Sequence, residues 1–232
     1  MRLGFITIGQ APRVDMVPEM QQWLPAIDTL EYGALDDRTA EQVAAMAPNP
    51  DDEFLTTKLR DGSSVVIGRE HLLPLMTRCI ASAEADGADA ILIVCTGEFP
   101  AFDHRRPLYT ADHLLTHAVA GVTGADQVGV LSPLEEQRES SKSKFSLAHV
   151  VATAAASPYS ADAEDEIAQA CRELAQAGAG YIVLDCMGYT ARHRDNAARA
   201  SGVPVILARE GVARMAALAV SAAAAQGERE GA

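Results

Sequence analysis

Two cysteines repeat the same surroundings 91 residues apart, at positions 95 and 186. The first stands in Gly87-Ala88-Asp89-Ala90-Ile91-Leu92-Ile93-Val94-Cys95-Thr96-Gly97, the second in Gly178-Ala179-Gly180-Tyr181-Ile182-Val183-Leu184-Asp185-Cys186-Met187-Gly188. In each, a glycine ends an Ala/Gly-rich helical stretch and an apolar strand follows. The thiol stands at the strand's carboxyl end, before a glycine turn. In open α/β sheets that edge is where ligands bind. A thiolate is a base and a thiol an acid. Two of them flanking one carbon can remove a proton next to a carboxylate and return one to the opposite face, with roles reversed for the other enantiomer. Such chemistry requires no cofactor in principle. A strand end leading into a glycine turn and a helix N-terminus offers amide donors to a thiolate. The plainer alternative is that Cys95 and Cys186 are small buried hydrophobes, the usual state of cysteine. Cys79 and Cys171 provide the contrast, since they also fall in nearly matched places but inside helices, where core packing is expected.

The elements that must position these thiols read as alternating strands and helices. The first half begins with a strand over Leu3 to Ile8 and a loop Gly9-Gln10-Ala11-Pro12-Arg13. A helix opened by Pro12 runs to about Leu24, and a strand covers Ile27 to Tyr32. A short helix and turns reach Pro50, Asp51-Asp52-Glu53 opens another helix, and Val65 to Ile67 is a third strand. A helix from position 71 to Ala85 leads into the first cysteine strand. After a polar loop, Pro107-Leu108-Tyr109 forms a short strand and a helix follows. Val128-Gly129-Val130-Leu131-Ser132-Pro133 echoes Leu3-Gly4-Phe5-Ile6-Thr7-Ile8, which marks the start of the second half. There, helix Pro133 to Ser146, strand Ala148 to Thr153 and helix Asp162 to Ala177 lead into the second cysteine strand. Alternation of this kind predicts an α/β fold with mainly parallel sheets, in two similar lobes with a cleft between them. The expected lobes are 1–123 and 124–208. A final helix at about 209–225 packs back on the first lobe, and 226–232 form a frayed tail.

The 232 residues carry a net charge of −13. Binding a nucleic-acid backbone needs a basic face, so no nucleic-acid partner is expected. No apolar run approaches the roughly 20 residues of a membrane span, so no membrane partner is expected either. The apolar start at Leu3 to Ile8 is too short for a signal peptide and reads as a buried strand. Four cysteines without CxxC spacing suggest free thiols in a cytoplasmic protein. No metal is expected, because neither H-E-x-x-H nor paired-cysteine spacing occurs. Gly178-Ala179-Gly180 precedes a strand, whereas a dinucleotide fingerprint follows one.

Several residues near the strand ends have types suited to support. Arg13 can hold a substrate carboxylate in a fork-like pair, or stand on the first turn of an exposed helix. Gln10 shares its loop. Ser132, at the matching edge of the second half, can donate to a substrate or cap the following helix. His193 can tune the thiol or donate to substrate, while Arg192 and Arg194 read as a solvated helix face. Glu98 beside Cys95 can raise that thiol's pKa or bind a substrate amine. Asp185 should point away from the site by strand alternation. His104, Arg105 and Arg106 form a lid or simply surface.

The paired strand-end cysteines, the two lobes and Val128-Gly129-Val130-Leu131-Ser132 resemble the aspartate/glutamate/hydantoin racemase superfamily. Thr7-Ile8-Gly9-Gln10-Ala11-Pro12-Arg13, Leu184-Asp185-Cys186-Met187-Gly188-Tyr189 and Arg192-His193-Arg194-Asp195 resemble, more specifically, the AroM family. The resemblance covers essentially the whole chain. It implies two Rossmann-like lobes and cofactor-independent racemisation, epimerisation or isomerisation, with some decarboxylases, and it makes a homodimer an expectation. The superfamily pattern has Asn-Thr or Thr after the catalytic cysteine. Here Thr96-Gly97 and Met187-Gly188 occupy those places as substrate contacts, and Met187 departs from the pattern. The expected function is therefore a two-cysteine racemase or epimerase of a small carboxylated substrate, an amino acid or hydantoin-like ring. Cys95 and Cys186 are its acid/base pair, and Gln10, Arg13, Ser132 and His193 are substrate contacts. A non-catalytic small-molecule binding protein and a single-thiol lyase or decarboxylase are the alternatives.

Overall fold

Short apolar runs without polar interruption form parallel strands buried on both faces, and helices cover them. The computed structural model describes residues 1–49 and 52–230, with side chains described through residue 222. Contacts divide the chain into one unit of Met1–Ala111 with the residues from Ala216 onward, and a second of Asp112–Met215. The first unit holds β1 (Arg2–Thr7), α1 (Val17–Gln21), β2 (Asp28–Gly33), α2 (Ala40–Ala44), β3 (Phe54–Lys58), β4 (Ser64–Gly68), α3 (Arg69–Ala85), β5 (Ala90–Ile93) and β6 (Leu108–Thr110). Its main sheet is parallel, in the order β2-β1-β5-β6, and β3 and β4 form a separate antiparallel hairpin.

From α4 (Ala111–Thr123) the chain enters the second unit. There follow β7 (Gln127–Ser132), a 3-10 turn (Glu135–Gln137), α5 (Arg138–Lys144), β8 (His149–Ala155), α6 (Ala163–Gln176), β9 (Tyr181–Leu184), α7 (Ala191–Ser201), β10 (Val205–Leu207) and the start of α8 (Ala208–Glu230). The sheet is again parallel, in the order β10-β9-β7-β8.

The two sheets repeat each other bond for bond along their central strands. Asp89 N donates to Arg2 O at 2.9 Å and Gly180 N to Gln127 O at 2.8 Å. At the other end, Val94 N donates to Ile6 O at 2.8 Å and Asp185 N to Leu131 O at 2.9 Å, so each ladder stops one residue before its cysteine. Gly4 and Gly129 play the same part in the two units. A Cβ on Gly4 would lie 3.2 Å from Ala83 Cβ of α3, and one on Gly129 would lie 3.0 Å from Leu174 Cβ of α6. The covering helix thus comes down on a bare backbone at the same place in both sheets.

The units differ between the second strand and the covering helix. The first inserts α2 and the β3–β4 hairpin there, whereas the second passes from β8 to α6 through residues 156–162.

Several expected elements take another form. The segment after β1 is a loop, and Arg13 lies in it rather than on the first turn of a helix. The Arg13 carbonyl accepts from Met16 and Val17, and α1 starts only at Val17 and ends at Gln21, short of Leu24. No helix starts at Asp52-Glu53, because β3 begins at Phe54; Asp51 lies outside the described residues. The strand preference of Phe54, Thr56 and Thr57 wins there, and Asp61-Gly62, with Gly62 at φ 89°, turns the chain into β4. The helix expected over Pro133 to Ser146 is split into the 3-10 turn and α5. Helix α4 groups with the second unit, where Leu115 packs beside Gly211. Helix α8 runs to Glu230, beyond the Ala225 end expected, and residues 231–232 of the expected tail lie outside the described residues. Among the described residues, no helix is long and apolar enough to cross a membrane.

Two glycines give opposite expected outcomes in denaturant unfolding. Gly129→Val, forced against Leu174 and Ala179, is expected to cost about 1–3 kcal/mol. Gly121→Ala, in the last turn of α4 where an added Cβ meets nothing within 4 Å, is expected to gain up to about 1 kcal/mol.

Candidate active site

Each cysteine sits one residue past the end of its strand ladder, and in both units the next turn closes on the sulfur. Gly97 N donates to Cys95 Sγ at 3.4 Å, and Gly188 N donates to Cys186 Sγ at 3.3 Å. The thiols are 9% and 8% exposed. An amide aimed at sulfur favours the anionic form of a thiol, and the two turns supply it identically. The position two residues on also leaves little room for a side chain. A Cβ on Gly97 would lie 2.5 Å from Leu55 Cδ2, and one on Gly188 would lie 2.4 Å from the Tyr159 hydroxyl. A side chain from elsewhere in the same unit therefore packs directly over each thiol turn.

Around Cys95, the loop after β1 is tied down from within. Arg13 is 6% exposed. Its Nε and Nη2 donate to the two carboxylate oxygens of Asp15 at 2.8 and 2.9 Å, its Nη1 donates to Thr7 Oγ1 at 2.9 Å, and its amide donates to Glu31. The fork expected for a substrate carboxylate is thus closed on a carboxylate of its own loop. Gln10 Oε1 accepts from Arg60 N at 3.0 Å, which joins it to the hairpin turn. Arg60 also donates to Ala11 O and Asp36, and Asp36 accepts from the amides of Ala11 and Gly33. Thr96 is buried. Glu98 is exposed and its carbonyl faces Arg69.

The region expected as a lid is pinned. Glu84 of α3 accepts from the amides of Arg105 and Arg106 and from the Arg105 guanidinium. The Arg105 amide, then its guanidinium, hold the Glu84 carboxyl down to about 2 from the ordinary 4.5.

Around Cys186, the turn is held from below by a residue the sequence reading passed over. Arg209, in the first turn of α8 and 1% exposed, donates from Nε and Nη2 to the Met187 carbonyl at 3.1 and 2.7 Å. Nothing in the Ala-Arg-Glu-Gly string at the head of an Ala-rich helix marks it as buried. Tyr189 is wholly buried and donates to Ala156 O at 2.7 Å, and burial pushes its phenol well above the usual range. Asp185, paired in the repeat with Val94, is buried with Lys144 Nζ at 2.6 Å from both of its oxygens. One thiol therefore has a buried ion pair on its preceding residue and the other an aliphatic side chain.

Ser132 is 1% exposed and shares a 2.7 Å hydrogen bond with Ser141 Oγ of α5. Since Ser141 donates to Gln137 O, Ser132 supplies the proton between them; the 3-10 turn that follows has no side-chain cap. Thr7 is its counterpart in the first unit and was legible in the Leu3–Ile8 echo. Its hydroxyl oxygen accepts from Gly9 N and Arg13. His193 closes a capping box on α7: Nδ1 accepts from Thr190 N and the Thr190 hydroxyl accepts from His193 N. That leaves the neutral ring's proton on Nε2, 3.8 Å from Glu164. Among the described residues, no three His, Cys, Asp or Glu side chains gather as a metal site.

The family model described as AroM protein matches residues 3–219. Solved structures with the same fold include allantoin racemase from Klebsiella pneumoniae, at 16% identity over 96% of this chain and 89% of that chain, TM-score 0.65. A glycine-to-cysteine mutant of arylmalonate decarboxylase in a sulfate-associated form is 13% identical over 96% of this chain and 94% of that one, TM-score 0.64. An aspartate racemase from Picrophilus torridus is 14% identical over 91% and 90%, TM-score 0.59. At these identities the likeness shows the fold. No curated protein matches the chain.

Two outcomes are expected. Burial raises the Cys79 thiol to about 11 and the Cys171 thiol to about 12, so alkylation of the native protein near pH 8 should modify Cys95 and Cys186 first, as read by peptide mass spectrometry. The Glu84 carboxyl is lowered in the folded state, so its contribution to holding the loop is complete above about pH 4.5 and is lost as pH falls through about 2. Hydrogen exchange at the Arg105 and Arg106 amides should stay slow at pH 5 and accelerate beyond its intrinsic pH trend toward pH 2, and Glu84→Gln should open the loop at neutral pH.

Proposed function

The chain belongs to the AroM family, and we propose that it is a cofactor-independent racemase or epimerase of a small carboxylated substrate, with Cys95 and Cys186 as the acid/base pair. The observation that carries this reading is the matched turn. Two thiols at equivalent strand ends each accept an amide N–H from the glycine two residues on, in a fold shared with racemases and a decarboxylase.

In this mechanism one cysteine, as thiolate, takes the proton from the substrate's α-carbon. The electron pair left on carbon delocalises into the adjacent carboxylate. The other cysteine, as thiol, then delivers its proton to the opposite face, so one thiol has gained a proton and the other has lost one. The opposite enantiomer runs the same steps in reverse, and proton exchange with water resets the pair. The chemistry requires the two sulfurs to flank one carbon. Substrate oxygens are met by Thr96 and by backbone of the turns Thr96-Gly97 and Met187-Gly188. Arg209 fixes the second turn by its grip on Met187 O. Arg13 and Gln10 hold the first-strand loop in shape, and His193 sets the start of α7.

The test is deuterium wash-in at the α-carbon in heavy water, across both enantiomers of aspartate and glutamate, hydantoins, allantoin and arylmalonates. Cys95→Ser and Cys186→Ser should each lower racemisation of the active substrate by about 10³-fold or more. Activity surviving both single changes ends the proposal. Carbon dioxide release that needs only one of the two cysteines replaces it with a single-thiol decarboxylase. Saturable binding without exchange replaces it with a binding protein.

A further inference from the structure

The β3–β4 hairpin has no counterpart in the second unit, and its inner face lies on the loops at the strand ends beside Cys95. Leu55 and Thr57 are two residues apart in β3, so their side chains share one face. Both are buried, at 8% and 2% exposed, while Thr56 and Lys58 are only partly covered. Leu55 packs on Gly97, the residue whose amide meets the Cys95 sulfur. Thr57 packs on Gly9: its Oγ1 would lie 2.4 Å from a Cβ placed there. Among the described residues this hydroxyl has no hydrogen-bond partner. A buried hydroxyl without a partner costs stability, and a bound acceptor that reached it would recover that cost.

The hairpin is anchored at both ends. Its turn is fastened by Arg60 to Ala11, Gln10 and Asp36, and its base by Gly68 N to Met46 O and by the Arg69–Glu53 pair. It is therefore a fixed wall. Two nearby guanidiniums are already committed, Arg13 to Asp15 and Arg60 to Asp36.

We propose that this hairpin is the specificity wall of the Cys95 half-site: Leu55 limits the bulk that reaches the thiol, and the Thr57 hydroxyl donates to a carboxylate or carbonyl oxygen of the molecule admitted. The proposal rests on reading Cys95 as the reactive thiol of a small-carboxylate enzyme, and its test does not depend on turnover.

Cys95 in the full native chain is alkylated in parallel with iodoacetamide, its carboxylate analogue iodoacetate, and the bulkier N-phenylmaleimide, with Cys186 as internal reference. Leu55→Ala should raise the N-phenylmaleimide rate at Cys95 about tenfold relative to iodoacetamide, with Leu55→Val intermediate and Cys186 unchanged. Thr57→Val keeps the shape and removes the hydroxyl. It should lower the iodoacetate-to-iodoacetamide ratio at Cys95 about fivefold. It should also leave the unfolding midpoint of the unliganded protein the same or higher. Unchanged ratios at Cys95 overturn the proposal. So does a midpoint several degrees lower in Thr57→Val, which would mean that the hydroxyl is bonded within the fold. Should Leu55→Ala fail to fold, Leu55→Val and Thr57→Val still decide. Uniformly slow alkylation of wild-type Cys95 counts against its acid/base role but leaves the reagent ratios readable.

Discussion

Each thiol turn is squeezed between a sulfur and an overlying side chain, which must move if the glycine there gains a Cβ. The amide of Gly97 or Gly188 must face the sulfur, and Leu55 or Tyr159 occupies the space where a Cβ would stand. Much of the surrounding architecture serves that arrangement. The ladder bonds from Val94 and Asp185 end each strand one residue early, so that the cysteine backbone is free to enter the turn. The close seating of α3 on Gly4 and α6 on Gly129 fixes the strand beneath.

The repeat lies in the sheets and departs in what covers them. Strand order, the registry of the central β1–β5 and β7–β9 ladders and helix seating agree between units, while the first turn is covered by an inserted hairpin and the second by the short Ala156–Asp162 connection, whose Pro158 and Tyr159 press on Gly188. The stems agree down to single hydrogen bonds, and the loops beyond the strand ends do not. Covering an equivalent turn with an aliphatic side chain in one unit and with an aromatic one in the other gives one backbone device two chemical surroundings.

Much of this was legible in the amino-acid string because the informative features are local and periodic. The 91-residue echo around the cysteines reports apolar parallel strands, and the Leu3–Ile8 and Val128–Pro133 echo reports the first strand of each sheet. The hairpin was half missed because Asp51-Asp52-Glu53 imitates a helix start, while the signal for β3 lies in two β-branched residues and a turn further on. The partners of buried polar groups were not legible. Arg13 meets Asp15 two residues away, yet pairing there depends on a loop that turns back where a helix was expected. Arg209 meets Met187 from the head of another helix, and no local pattern announces a contact 22 residues distant.

The buried Lys144–Asp185 pair stands immediately before Cys186, where the first unit has Val94 before Cys95. The two sulfurs therefore share a backbone cradle and differ in electrostatic field. If the proposed reaction is a racemisation, the two free enantiomers have equal energy, so the equilibrium constant is one and the ratio of kcat/KM between the two directions must also be one. An uneven field cannot bias the product. It can shift only how tightly each enantiomer is held and how fast its complex turns over, in compensating amounts. Under the proposed chemistry, the unequal surroundings of the two thiols can thus change how each enantiomer is held, while thermodynamics keeps the reaction itself symmetric.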